Sequence, residues 1–181
     1  GWYKLGAVLF ELGERKEAAD CFATAGRMSG QVLHLLSAAH SYHKAENHSR
    51  AFALYGAAIR KDPTSLDTWN DYSFALSQRQ LYREAEWAAR RSLALKRTGD
   101  ALFMVANNIM GQKRFDEACN TYQEAHQETP LSMDIAHNLG YCRHLNNDTK
   151  GAVEAALATC ELYVEARGTT GEGKDQGPMY L

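Results

Sequence analysis

Apolar residues recur along this chain with two superimposed rhythms. The short rhythm is three and four residues: Trp2, Leu5 and Leu9; Leu35, Ala38, Ala39 and Tyr42; Trp69, Tyr72 and Leu76; Leu102, Val105, Ala106 and Ile109. Each is the stripe of an amphipathic helix. The long rhythm is a small–large–small triplet on a second helical face. Ala18-Phe22-Ala25 returns as Ala51-Tyr55-Ala58, Ala85-Ala89-Ser92, Ala118-Tyr122-Ala125 and Ala152-Ala156-Thr159, at steps of 33, 34, 33 and 34 residues. A fixed period in this range predicts stacked helix-turn-helix units, none of which can bury its apolar face alone.

Punctuation falls where such units need it. Gly13 supplies a turn between two helices, Asp62-Pro63 and Pro130 end helices, and Gly99 is expected to break the chain. Thr64 or Ser65 is expected to cap the helix that follows, and Ser132 to open another. The predicted repeats span about 1–30, 31–64, 65–98, 99–131 and 132–167. The last helix, about Lys150 to Arg167, is expected to act as a terminal cap with a more soluble outer face. A Gly-rich tail, 168–181, follows without periodicity, and its composition is that of a flexible segment unless it lies on a partner or on the solenoid. The chain opens at Gly1 part-way into a helical pattern, so the stripe around Trp2 and Tyr3 is expected to meet a further repeat or a neighbouring subunit.

The residues Trp2-x-x-Leu5-Gly6, then Ala18, Phe22 and Ala25, with Pro63 and Pro130 closing the second and fourth units, resemble the tetratricopeptide repeat. The resemblance covers 1–167. Departures are Ser73 where Gly or Ala is usual, Ala89 where an aromatic is usual, Arg143 where Tyr is usual, and Gly30 where Pro is usual. The resemblance implies an all-α, right-handed superhelical solenoid of about five repeats, whose first helices line a concave groove that binds an extended or helical peptide.

Composition adds few constraints. The 181 residues are 45% hydrophobic and 23% charged, with 20 Lys+Arg against 22 Asp+Glu for a formal charge of −2. That balance gives no general electrostatic case for nucleic acid. No apolar run reaches the ~20 residues of a membrane-spanning helix. Four cysteines without a paired motif read as thiols of a reducing, intracellular compartment, the cytoplasm first, with a mitochondrion or another organelle also fitting. Neither a phosphate-binding Gly-rich loop, nor Gly-x-Ser-x-Gly, nor HExxH occurs. A non-catalytic chain without cofactor is therefore expected.

The groove implied by the resemblance would be lined by first-helix residues facing away from the partner helix. Its candidates are His40, His43, Asn70, Phe74, Phe103, Asn107, His137 and Tyr141, with Tyr3, Ala7, Phe10, Leu36, Ser77, Met110 and His144 at related positions. Asn can meet a ligand backbone as donor and acceptor at once, and aromatics give contact area at low entropic cost. For Leu36 and Phe103 simple packing between helices is the competing reading. Asp67, Asp100 and Asp134 sit in first turns, where they complement the helix dipole. Acidic Asp67 and Asp71 would repel a peptide carboxylate, which argues against the carboxylate clamp that some members of the resembled family carry. His40 and His43 lack the converging third ligand a zinc site requires. A basic patch of Arg83, Arg90, Arg91, Lys96 and Arg97 in the third repeat is either a solvated face or a contact for an acidic partner or RNA. The leading reading is a protein-interaction scaffold, a subunit or adaptor of a larger assembly; the alternative is an RNA-associated helical-repeat protein of an RNA-processing or ribosomal particle.

Overall fold

The computed structural model describes residues 1–168; residues 169–181, which hold almost all of the expected Gly-rich tail, lie outside the described residues. Among the described residues there are ten helices and no strand. They form five pairs: α1 (Trp2–Glu11) with α2 (Arg15–Ser29), α3 (Val32–Lys44) with α4 (His48–Lys61), α5 (Leu66–Gln78) with α6 (Tyr82–Leu95), α7 (Gly99–Gly111) with α8 (Phe115–Glu128), and α9 (Met133–Leu145) with α10 (Thr149–Gly168). Consecutive helices pack on one another, and the first helices also touch, α3 with α5 and α5 with α7. The result is an all-α helical-repeat solenoid.

Every turn inside a pair uses the same device. Gly13, Glu46, Gln80, Lys113 and Asn147 all have positive φ, between 59° and 86°. Each allows the next amide to reach back to a carbonyl of the preceding helix, as Asn47 N–H does to Tyr42 at 2.8 Å and Asp148 N–H to Arg143 at 2.9 Å. Only the first repeat uses glycine there, so a glycine search finds one turn of five. Between pairs, side chains cap the incoming helix: Ser65, Thr98 and Ser132 accept from the amides of Thr68, Ala101 and Ile135. Thr64 instead donates to Asp62. Gly99 does not break the chain. It is the first residue of α7, buried, where a Cβ would collide with Thr129.

The triplets of small and large residues fill the core. Ala18, Phe22 and Ala25, Ala51, Tyr55 and Ala58, and Ala118, Tyr122 and Ala125 are all buried. In the third unit Ala89 is fully buried and packs with Val105, Ala106 and Ile109, so the neighbouring repeat supplies the volume of the missing ring. Arg143, in a tyrosine position, donates to Gly151 O at 3.1 Å and to Gln123 Oε1 at 2.6 Å, tying α9 to both flanking helices.

The ends differ from the interior. Trp2 is 48% exposed, whereas Trp69, at the equivalent repeat position, is 6% exposed under the preceding repeat. At the other end the soluble cap expected of the last helix is not found: Val153, Leu157 and Val164 of α10 are exposed by 55%, 59% and 67%. They project from the side on which each interior second helix receives the next repeat.

Candidate peptide-binding groove

Three successive first helices, α1, α3 and α5, create a concavity. In a helix, residues at positions i, i+3, i+4 and i+7 share a face. On α5 this places Asp67, Asn70, Asp71 and Phe74 side by side, and on α3 it does the same for Leu33, Leu36, Ser37 and His40. With Ala7, Phe10 and Glu11 of α1 they enclose a cleft of about 640 Å³, into which Phe74 does not reach. The size is that of a small-molecule or peptide side-chain site.

The α1 and α3 sides carry the apolar groups Ala7, Phe10, Leu33 and Leu36, with Glu11 the one carboxylate on α1, and the α5 side is acidic. The Phe10 and His40 rings lie 5.9 Å apart, tilted by 46°. Desolvation pushes the His40 imidazole below its ordinary value, the charge of Lys44 adds to this, and Asp71 opposes it. Desolvation raises the Asp71 carboxyl; His40 pulls it back and Asp67 pushes it further up. The Oδ1 atom of Asn70 is buried and accepts no hydrogen bond. The hydroxyls of Ser37 and Ser41 donate to the carbonyls of Leu33 and Ser37, at 3.0 and 2.8 Å.

The sequence candidates do not converge on this one cleft. His40 and Asn70 line it. His43 turns away to meet His48, with ring centroids 5.0 Å apart and Nδ1 atoms 3.3 Å apart. Phe74 stands 52% exposed on the same α5 face. Phe103 is half-buried against Tyr122, 5.9 Å away, and packs with Leu102, Ala125 and Ile135. Asn107 Oδ1 accepts from the Tyr122 hydroxyl at 2.6 Å. His137 and Tyr141 line a second hollow of about 460 Å³ with Val153, Ala156 and Cys160 of α10. Among the described residues no cluster of three metal-ligating side chains occurs, and all four cysteines are free.

Of the basic patch, Arg90 in α6 and Arg97 just beyond it are paired with carboxylates, whereas Arg83, Arg91 and Lys96 have no ion pair among the described residues. Arg90 pairs with Glu86 at 2.8 Å and Glu117 at 3.0 Å, and Arg97 pairs with Glu124 and Glu128 at 2.8 and 3.2 Å. Arg91 lies over the Trp87 ring, 5.5 Å from its centroid. Glu86, within the same helix, is a buried hub that accepts from Arg90, Gln112 and Arg114.

No protein-family model and no curated protein matches the sequence. Solved structures do. A crystal structure of MamA superposes with a TM-score of 0.80 at 16% identity, covering 97% of this chain and 96% of that one. MamA from Desulfovibrio magneticus RS-1, residues 41 to the end, gives 0.79 at 15% identity over 91% and 94%. YrrB, described as a TPR protein with an unusual peptide-binding site, gives 0.70 at 16% identity over 89% and 84%. The chain has the tetratricopeptide-repeat fold. At these identities the likeness speaks for architecture, and the chemistry of the groove is this chain's own. The sequence places Asp67 and Asp71 where they would repel a carboxylate but does not make them binding candidates, because Asp67 fits a helix first turn so well; its spacing from Asn70 and Phe74 is the available signal.

Proposed function

We propose that this chain is a non-catalytic interaction scaffold, a subunit or adaptor that holds a partner segment on its concave face. The observation that carries the reading is the cleft between α1, α3 and α5, with apolar side chains on one wall and polar groups convergent on the other. Such a lining suits a protein segment, because apolar surface supplies affinity and a few placed polar groups supply orientation. Helices fixed by capped ends and buried triplets leave the ordering cost to the partner. The printed description of YrrB, a peptide-binding site on the same fold, supports this use of the groove. The RNA alternative draws less support, since Arg90 and Arg97 are neutralised by carboxylates within the solenoid. No helix of the described residues is long and apolar enough to cross a membrane.

The test is partner capture with groove variants. His40→Ala and Phe74→Ala reduce capture several-fold while circular dichroism and the melting temperature stay unchanged. Capture that is indifferent to both, yet lost with changes on α10, overturns the groove assignment.

A further inference from the structure

The cleft is rich in hydrogen-bond acceptors, and its side-chain donors besides the serines are the His40 ring and the Asn70 amide. Glu11, Asp67 and Asp71 line it, and no Lys or Arg does; Lys44 lies a turn beyond His40, outside the lining. None of these three carboxylates has an ion-pair partner among the described residues; of the second-helix carboxylates Asp20, Glu86, Glu117, Glu124 and Glu128 face arginines, while Glu17, Glu84 and Asp116 do not. Asp67 and Asp71 stand four residues apart on one helix face, where like charges destabilise the helix. Asn70 adds a buried oxygen without a donor. The Ser37 and Ser41 protons are already directed to backbone carbonyls, which leaves their lone pairs. Opposite lie the aliphatic and aromatic groups of Leu33, Leu36 and Phe10.

A ligand that completes such a lining brings donors, positive charge and an apolar stem together. Lysine and arginine are the side chains with that composition: they donate without accepting, and their methylene stems lie along apolar surface. We propose that the α1–α3–α5 cleft takes a Lys or Arg side chain of an extended partner segment, with Asp67 and Asp71 as its counter-charges and the Phe10–Leu36 wall against its stem. This rests on the groove reading above and gives it a charge specificity. The unfavourable Asp67–Asp71 pair becomes favourable once a cation lies between them, so the groove is electrostatically suited to a basic ligand.

Selection of a phage-displayed library of random peptides, about twelve residues long, against the immobilised chain tests it. Wild type is compared with Asp67→Asn/Asp71→Asn and with His40→Trp, which fills the cleft, all three verified as folded by circular dichroism. The expected result is a set of sequences enriched in Lys or Arg and lost on His40→Trp. Synthetic copies bind the double Asn variant about tenfold more weakly than wild type, with a gap that narrows at high salt. Cleft-dependent peptides that are acidic or uncharged, or that bind the double variant equally well, overturn the cationic preference and leave the groove reading intact. A selection with no cleft-dependent sequence overturns both.

Discussion

Ser73 and Asn108 join two repeats through the interior of the solenoid. The Asn108 Nδ2 group donates to Ser73 Oγ at 3.2 Å, and the Ser73 hydroxyl in turn donates to the Ala85 carbonyl at 2.8 Å. Both side chains are 2% exposed or less. Ser73 stands at the repeat position where Gly6 and Gly140 occur, so a hydroxyl replaces close contact with a directed bond. Ser73→Ala leaves the buried Ala85 carbonyl and the Asn108 amide each short of a partner. The expected loss is about 1–2 kcal/mol. Urea unfolding of Ser73→Ala, Asn108→Ala and the double variant gives the coupling, and additivity of the two single effects would show that the contact contributes nothing.

The same repeat position predicts opposite responses at two glycines. A Cβ on Gly6 would lie 2.8 and 2.9 Å from Phe22 ring carbons. Phe22 is itself buried, so the ring cannot swing clear. Gly6→Ala is expected to destabilise by about 1–3 kcal/mol through overpacking. At Gly140 the nearest atom to a new Cβ is Ala155 Cβ, at 3.3 Å. There a shift of a few tenths of an ångström suffices, and alanine gains up to about 1 kcal/mol in helix propensity. Gly140→Ala is expected to be neutral or mildly stabilising in thermal melts. Equal losses at the two sites would contradict the packing difference.

The left-handed turn residues give a second pair of opposed changes. Gln80 holds φ 59° and Gly13 φ 86°. A non-glycine residue there costs about 1–2 kcal/mol, partly offset in glycine by its greater unfolded-chain entropy of about 0.5–1 kcal/mol. Gln80→Gly is expected to raise the unfolding midpoint slightly, and Gly13→Val to lower it by at least as much. Both are readable in one denaturant series.

These turns also show how far the sequence could be read. Helix positions were legible because the alternation of Ala, aromatic and Ala, and the stripes of the first helices, repeat in register. Turn conformation was legible only at Gly13, since Glu46, Gln80, Lys113 and Asn147 adopt the same backbone without glycine. The groove was legible as a face but not as a cavity. Spacing assigns Asn107 and Phe103 to the concave side, yet only packing reveals that Tyr122 occupies the one and encloses the other. The polarity of α10 was misjudged because a terminal repeat is expected to be solvated, while Val153, Leu157 and Val164 retain the pattern of an interior one.

Glu86 provides a pH signature. Its burial alone would raise the carboxyl pKa, but hydrogen bonds from Gln112 and Arg90 and the charges of Arg90 and Arg114 hold it below the ordinary value. The folded state therefore binds this proton less tightly than the unfolded chain does. The resulting stabilisation is complete above the ordinary glutamate pKa of about 4.3 and is lost as pH falls through that value and the lower folded one. Glu86→Gln is expected to lower stability at pH 7 by about 1–3 kcal/mol, because three donors lose their charged acceptor. Its unfolding free energy should also fall less steeply than that of wild type below pH 5. Parallel pH profiles for the two proteins would remove Glu86 from that role.

Asp71 runs in the opposite direction, and its behaviour separates stability from binding. Desolvation in the cleft raises its carboxyl pKa, His40 lowers it in part, and Asp67 raises it again. Here the folded state holds the proton more tightly than the unfolded chain, so ionisation at neutral pH works against folding. Asp71→Asn keeps the shape and removes the charge beside Asp67. The variant is expected to melt above wild type at pH 7, and the gap should close as pH falls toward the ordinary aspartate value of about 3.9. The pH dependence identifies the cause, since a gain from packing would persist in acid. A wild type that melts above Asp71→Asn at pH 7 would mean that the Asp71 carboxylate already has a stabilising partner within the fold, and Asp67 and Glu11 alone would then offer unpaired charge to a ligand.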